Sequence, residues 1–104
     1  MCWKLVRDGL VEQLRSKGYI VWRARSREEH VAALLDKLFE EAYEVAKAVG
    51  GEGDLLEEAA DLLEALLTLL KLHGYTLRDL LDAMEAKRRE KGGFEGGFIA
   101  QVCR

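Results

Sequence analysis

At 104 residues the chain is long enough for one domain with a single core and too short for two. Nearly half of the residues are apolar and a third are charged, the composition of a soluble globular protein. No apolar run approaches the roughly 20 residues that span a bilayer, and no signal-peptide pattern opens the chain, so a cytoplasmic location without a membrane partner is expected. A net charge of −3 leaves no basic footprint and argues against nucleic acid as the partner. In a reducing compartment Cys2 and Cys103 are expected as two free thiols, although close termini would let them meet.

Residues 4–17 read as a first helix, because Val6, Leu10 and Leu14 recur every fourth position while Arg7, Glu12 and Arg15 stay polar; Gly18 ends it. Lys4, Arg7 and Asp8 share its polar side, where Lys4 and Asp8 either pair with each other or serve a substrate. The β-branched and aromatic stretch 19–25 suggests a short strand, whose natural partner is the β-prone piece 98–102. Ser26 with Glu29 forms a capping-box pattern that starts a second helix at about Arg27, running to Val49. Gly50, Gly51 and Gly53 then allow the chain to double back. Asp54 starts a third helix that runs to about Leu72, where His73 and Gly74 stop it, and Thr76 with Asp79 starts a fourth that runs to about Glu90. The expected fold is an all-α antiparallel bundle of about four helices, with a small two-stranded element joining 19–25 and 98–102.

The second and third helices carry the chemistry. Glu41 with Glu44, and Glu58 with Asp61, are carboxylates three apart, which a helix projects from nearly one side; a glycine turn between the helices brings the two pairs face to face. Acidic residues at helical spacing commonly line a solvated face. Here, however, Glu41 lies at the margin of the apolar stripe made by Val31, Leu34, Leu35, Leu38, Ala42, Val45 and Val49, with Glu44 just outside it. Glu58 and Asp61 flank the broad apolar arc of the third helix. Four carboxylates at the edge of a core repel unless cations sit among them, and hard oxygen ligands favour Mg²⁺, with Mn²⁺ as the alternative ion. Such ions commonly bridge to substrate phosphates, so a polyphosphate is the expected substrate.

On the fourth helix Leu77, Leu80, Leu81 and Met84 are expected to make the buried face, and the same line continues into Lys87, Arg88 and Lys91. Basic residues suit a helix C-terminus, and Gly92-Gly93 just beyond lets backbone approach a ligand. Lys4, Arg7, Lys37, Lys87 and Lys91 are therefore the candidates for holding phosphates. Glu40 and Glu44 are the candidates for the base that takes a proton from an attacking water, Glu40 being turned about 100° from its neighbour Glu41. Trp3, Trp22 and Tyr43 are expected in a core or interface, and the isolated His30 and His73 at a surface or helix end.

Glu40-Glu41-Ala42-Tyr43-Glu44 followed by Glu58-Ala59-Ala60-Asp61 resembles the EExxE and ExxD signature of the all-α nucleoside triphosphate pyrophosphohydrolases, the MazG-like superfamily, which includes phosphoribosyl-ATP pyrophosphohydrolase. Lys4-Leu5-Val6-Arg7-Asp8 and Lys91-Gly92-Gly93-Phe94 are similar to the opening and ending of a small single-domain MazG-like branch, so the resemblance spans nearly all of 1–104 as one domain. It implies Mg²⁺-dependent release of pyrophosphate from a nucleoside triphosphate, leaving the monophosphate, and dimers or dimers of dimers. The apolar girth of the third helix independently asks for a second copy to cover it. Two alternatives stay open: phosphoribosyl-ATP as substrate in histidine biosynthesis, and a non-catalytic helical interaction module whose acidic pairs only confer solubility.

Overall fold

Ser26 adopts extended backbone and its hydroxyl accepts the backbone N–H of Glu29, so the longest helix begins at the next residue. In the computed structural model, which describes residues 3–102, the helices are α1 (Val11–Ser16, preceded by a 3-10 turn at Asp8–Leu10), α2 (Arg27–Val49), α3 (Leu55–Leu72) and α4 (Leu77–Lys91). Cys2 and Cys103, and with them the expectation of free thiols, lie outside the described residues. The Asp54 carboxylate accepts from the N–H groups of Leu56 and Glu57 at the head of α3. Thr76 and Asp79 form the reciprocal capping box at the head of α4.

α2 and α3 form an antiparallel hairpin. Gly51 and Gly53 take φ of 98° and 127° between them, which a side chain would resist. At the far end the Arg27 guanidinium donates to the Leu72 carbonyl at 2.5 Å, tying the start of α2 to the end of α3. The same register sets Glu41 opposite Glu58. Leu34, Ala48 and Ala65 are the buried apolar residues among those described, a thin core for a chain of this length.

Four expectations are corrected. Among the described residues no strand forms: 19–25 and 98–102 are both irregular, and Phe98 and Ile99 are almost wholly exposed, so neither piece finds the other's backbone. The first helix starts later than residue 4, because Arg7 is extended (φ −67°, ψ 142°) and the segment before it follows the hairpin instead of coiling. The face of α4 is not buried within one chain: Leu80 is half-covered, while Leu77, Leu81 and Met84 are exposed, because α2 and α3 pack chiefly on each other. Trp3, Trp22 and Tyr43 are likewise exposed in one chain, so the core half of that expectation fails, and Trp3 meets Trp22 edge-on with ring centroids 6.3 Å apart.

The covered face of α2 is also rotated from the stripe read in sequence. Leu34, Leu38, Glu41, Val45 and Ala48 turn inward, spaced alternately four and three apart. Ala32, Leu35, Phe39, Ala42, Ala46 and Val49 make a second seam of three-and-four spacing about a quarter-turn away, and all six are exposed. α3 repeats the device on its outer side with Leu56, Ala60 and Leu63. The chain is correspondingly open: its radius of gyration is 17.2 Å, against about 13 Å for a compact domain of this length.

Candidate metal centre

Glu41 points from α2 into the hairpin and is only 5% exposed, the one buried charged residue among those described. Its carboxylate has Lys37 one turn back at 3.3 Å. From α3, Glu58 and Asp61, both half-buried, bring their carboxylates to the same place, so that one oxygen from each of the three lies within 4.8 Å of the others. Two spacings cause this: Glu58 and Asp61 share a helix face, and the hairpin register sets that face against Glu41. Gly53, at a φ of 127°, makes the turn that leads into α3 and brings its backbone close to Glu58.

The charges strain one another. Burial first, then the carboxylates of Glu44, Asp61, Glu41 and Glu57, push the Glu58 carboxyl above its ordinary value of 4.5. Three hard oxygen donors with one of them buried fit a divalent cation, and Glu41, Glu58 and Asp61 are the residues that would hold it.

Glu44 stands apart from this trio. It is half-buried, acts electrostatically on Glu58, and has Lys47 at 3.8 Å. Glu40, also half-buried, faces Lys4 at 3.6 Å and Lys37 at 3.7 Å. Lys4 therefore reaches across to α2 and does not pair with Asp8, because residues 4–7 are not helical. Arg7 reaches α3: its Nη2 donates to Asp61 Oδ1 at 2.5 Å, and its Nη1 lies 4.0 Å from Glu64. That hydrogen bond, with the charge of Asp61, raises the guanidinium's pKa still further.

Of the candidate phosphate-binding residues, Lys4, Arg7 and Lys37 gather at the carboxylates, whereas Lys87 and Lys91 lie exposed on α4 and have no ion pair with the trio. Glu64 also shares Arg7, and its position three residues beyond Asp61 on one helix face is the signal that could have found it. His73 is a helix-end residue, its Nδ1 2.9 Å from the Leu69 carbonyl oxygen.

Residues 12–88 match the phosphoribosyl-ATP pyrophosphohydrolase family. The chain is 49% identical over 55 residues to a phosphoribosyl-ATP pyrophosphatase of Pyrobaculum arsenaticum, covering 51% of this chain and 58% of that protein. It is 43% identical over 60 residues to the phosphoribosyl-ATP pyrophosphatase of Pelotomaculum thermopropionicum, covering 56% and 61%. With the histidine biosynthesis bifunctional protein HisIE of Xylella fastidiosa it shares 39% identity over 64 residues, covering 60% and 31%. The matched part thus spans about three fifths of the length of the first two relatives and under a third of the bifunctional one. No solved structure matches the chain. The matched span contains α2 and α3 entire, hence every carboxylate of the centre, and the chain belongs to the phosphoribosyl-ATP pyrophosphohydrolase family.

Proposed function

We propose that the chain is a divalent-metal-dependent pyrophosphohydrolase that cleaves a nucleotide polyphosphate into pyrophosphate and the corresponding monophosphate, with phosphoribosyl-ATP as its substrate. The observation that carries this reading is the convergence of Glu41, Glu58 and Asp61 from two helices, one of them buried as a carboxylate at energetic cost. Family membership supports the choice of phosphoribosyl-ATP. A hydrolase of free nucleotides belongs with the nucleotide pool, in the cytoplasm.

When bound, Mg²⁺ or Mn²⁺ supplies charge neutralisation at the phosphate oxygens. The chain's own residues do the rest. Lys4, Arg7 and Lys37 are the cations near enough to orient phosphate oxygens beside the trio. Glu44 is the better candidate for the base: it stands next to Glu58 and has a single lysine, Lys47, beside it, whereas Glu40 is already engaged by two ammonium groups, Lys4 and Lys37. Water's oxygen forms the new bond to phosphorus, its proton passes to the Glu44 carboxylate, and the bridging oxygen leaves with pyrophosphate. The exposed seams on α2 and α3 support assembly of at least a homodimer, two hairpins making a joint four-helix bundle.

A second reading, a nucleoside triphosphate as substrate, is favoured by one observation: Lys4–Asp8 and Lys91–Phe94, the motifs similar to the MazG-like branch, both lie outside the matched residues 12–88, and Lys4 and Arg7 sit at the centre. A pyrophosphate-release screen over phosphoribosyl-ATP and standard and modified nucleoside triphosphates, with and without Mg²⁺, decides between them. Turnover of phosphoribosyl-ATP above every triphosphate is expected; the reverse order would move the substrate to the second reading. Asp61→Ala and Glu41→Ala should release no pyrophosphate while keeping their helical content, and full activity in either would remove the mechanism.

A further inference from the structure

The segment before the 3-10 turn has no helical or strand structure, yet it spans the mouth of the acidic centre. It is held by side chains on both arms of the hairpin: Lys4 on Glu40 of α2 at 3.6 Å, and Arg7 on Asp61 of α3 at 2.5 Å with Glu64 beyond it at 4.0 Å. Leu5 and Val6 between them are half-buried. Among the backbone hydrogen bonds of the described residues, the segment's link to the rest is the Leu10 N–H donating to the Arg7 carbonyl. Side-chain ion pairs therefore attach it beside the partial burial of Leu5 and Val6, and one of them ends on a carboxylate of the metal trio.

Asp61 has two suitors. Asp61 is the member of the trio that already carries a cation from outside the hairpin, the Arg7 guanidinium, while Lys37 stands at Glu41. A divalent ion held by the trio would share the Asp61 carboxylate with that guanidinium, and two cations so close repel, which favours exchange over joint occupancy.

We propose that Arg7 is a displaceable counter-ion, so that a divalent cation arriving at Asp61 releases the Lys4–Arg7 strap, whose guanidinium then becomes available to substrate phosphate. The inference rests on the metal reading of Glu41, Glu58 and Asp61 and adds to it a regulated state of the same centre. A guanidinium matches a phosphate as well as a carboxylate, since both accept its paired N–H donors. The strap thereby closes the centre when metal is absent and contributes a phosphate ligand when it is present. Arg7 acts here as a positioning and gating residue.

Trp3, next to Lys4 in the strap, meets Trp22 edge-on, and these are the chain's two tryptophans, so indole emission reports on the strap directly. The test is a Mg²⁺ titration followed by tryptophan fluorescence, beside Mn²⁺ affinity measured from the free-ion signal in electron paramagnetic resonance, on the full chain and on Arg7→Gln. The wild type should change emission with the half-point of metal binding. Arg7→Gln should bind Mn²⁺ about two- to five-fold more tightly, the range set by an exposed ion pair, and its metal-free emission should already match that of the loaded wild type. Lys37→Gln, which removes a charge beside Glu41 and Glu40 but leaves Arg7 on Asp61, should keep the wild-type emission change. Metal binding with unchanged emission and unchanged Arg7→Gln affinity would overturn the strap and leave the metal centre standing. No Mn²⁺ binding by the wild type would overturn both.

Discussion

Phe39 provides the sharpest test of how the chain assembles. Its side chain is 77% exposed in one chain and lies in the middle of the α2 seam, one turn from Leu35, with Ala42 and Ala46 giving a neighbouring helix room to approach. The surface of the described chain totals 9081 Å², whereas a compact monomer of 11.7 kDa exposes about 5,900 Å². About 3,000 Å² per chain is thus in excess, more than a standard interface takes from each partner. Covering Phe39 would remove roughly 150 Å² of apolar area, or about 4 kcal/mol per protomer before the costs of association. Replacing it with Glu would also bury a carboxylate at the seam, and a two-fold dimer carries the defect twice. Phe39→Glu should weaken dimerisation by at least about three orders of magnitude, on the scale of 1.4 kcal/mol for each factor of ten. Sedimentation across nanomolar to micromolar concentrations should show twice the chain mass for the wild type and the 11.7 kDa chain for the variant. On a monomer the same exposed substitution would change stability by no more than about 0.5 kcal/mol. A monomeric wild type at micromolar concentration, or a variant with unaltered mass and melting temperature, would refute the reasoning.

Three further outcomes are expected. The Glu58 carboxyl is held above 4.5 in the folded chain, so its stabilising protonated form is fully present below that pH and lost as pH rises through the raised value. Metal-free wild type should therefore lose melting temperature relative to Glu58→Gln on going from pH 4.5 towards neutrality, and a difference independent of pH would contradict it. Ser26→Ala removes the hydroxyl that accepts from Glu29 N–H and should cost about 1 kcal/mol, read as a lower midpoint in a circular dichroism melt at fixed protein concentration. Gly53→Ala puts a side chain at a φ of 127°, so it should destabilise the hairpin by about 1 kcal/mol or more and, by shifting the turn ahead of Glu58, weaken Mn²⁺ binding; a variant unchanged in both would mean that the turn does not set the centre.

The helices were legible because their ends are chemically marked. Ser26, Asp54 and Thr76 each accept a backbone N–H at the position their residue type and spacing predict, and α2, α3 and α4 begin one residue after them. The N-terminal segment was misread for want of such a mark. Val6, Leu10 and Leu14 keep helical period, but no cap precedes them, and a periodic pattern without a cap does not say where coiling starts. The piece 19–25 failed differently: β-propensity describes a fit to a neighbouring strand, and the neighbour is missing.

Within the centre, sequence spacing found the carboxylates because it is set by helix geometry, which is local. It could not rank them, because burial depends on how far α2 rotates against α3, and a helix with two apolar seams offers two rotations. The seam of Leu35, Phe39, Ala42 and Val49 is oily enough to have been the inner one, yet the chosen face buries Glu41 in its place. A charge costs energy to bury and a Phe gains it, so a lone hairpin selected for stability alone would turn the other way. Both facts are reconciled if Phe39 is covered by a second chain and Glu41 by a cation. The exposed seam and the buried carboxylate are then two sides of one rotational choice, and Lys37 and Arg7 are the charges that keep that choice tolerable until the metal arrives.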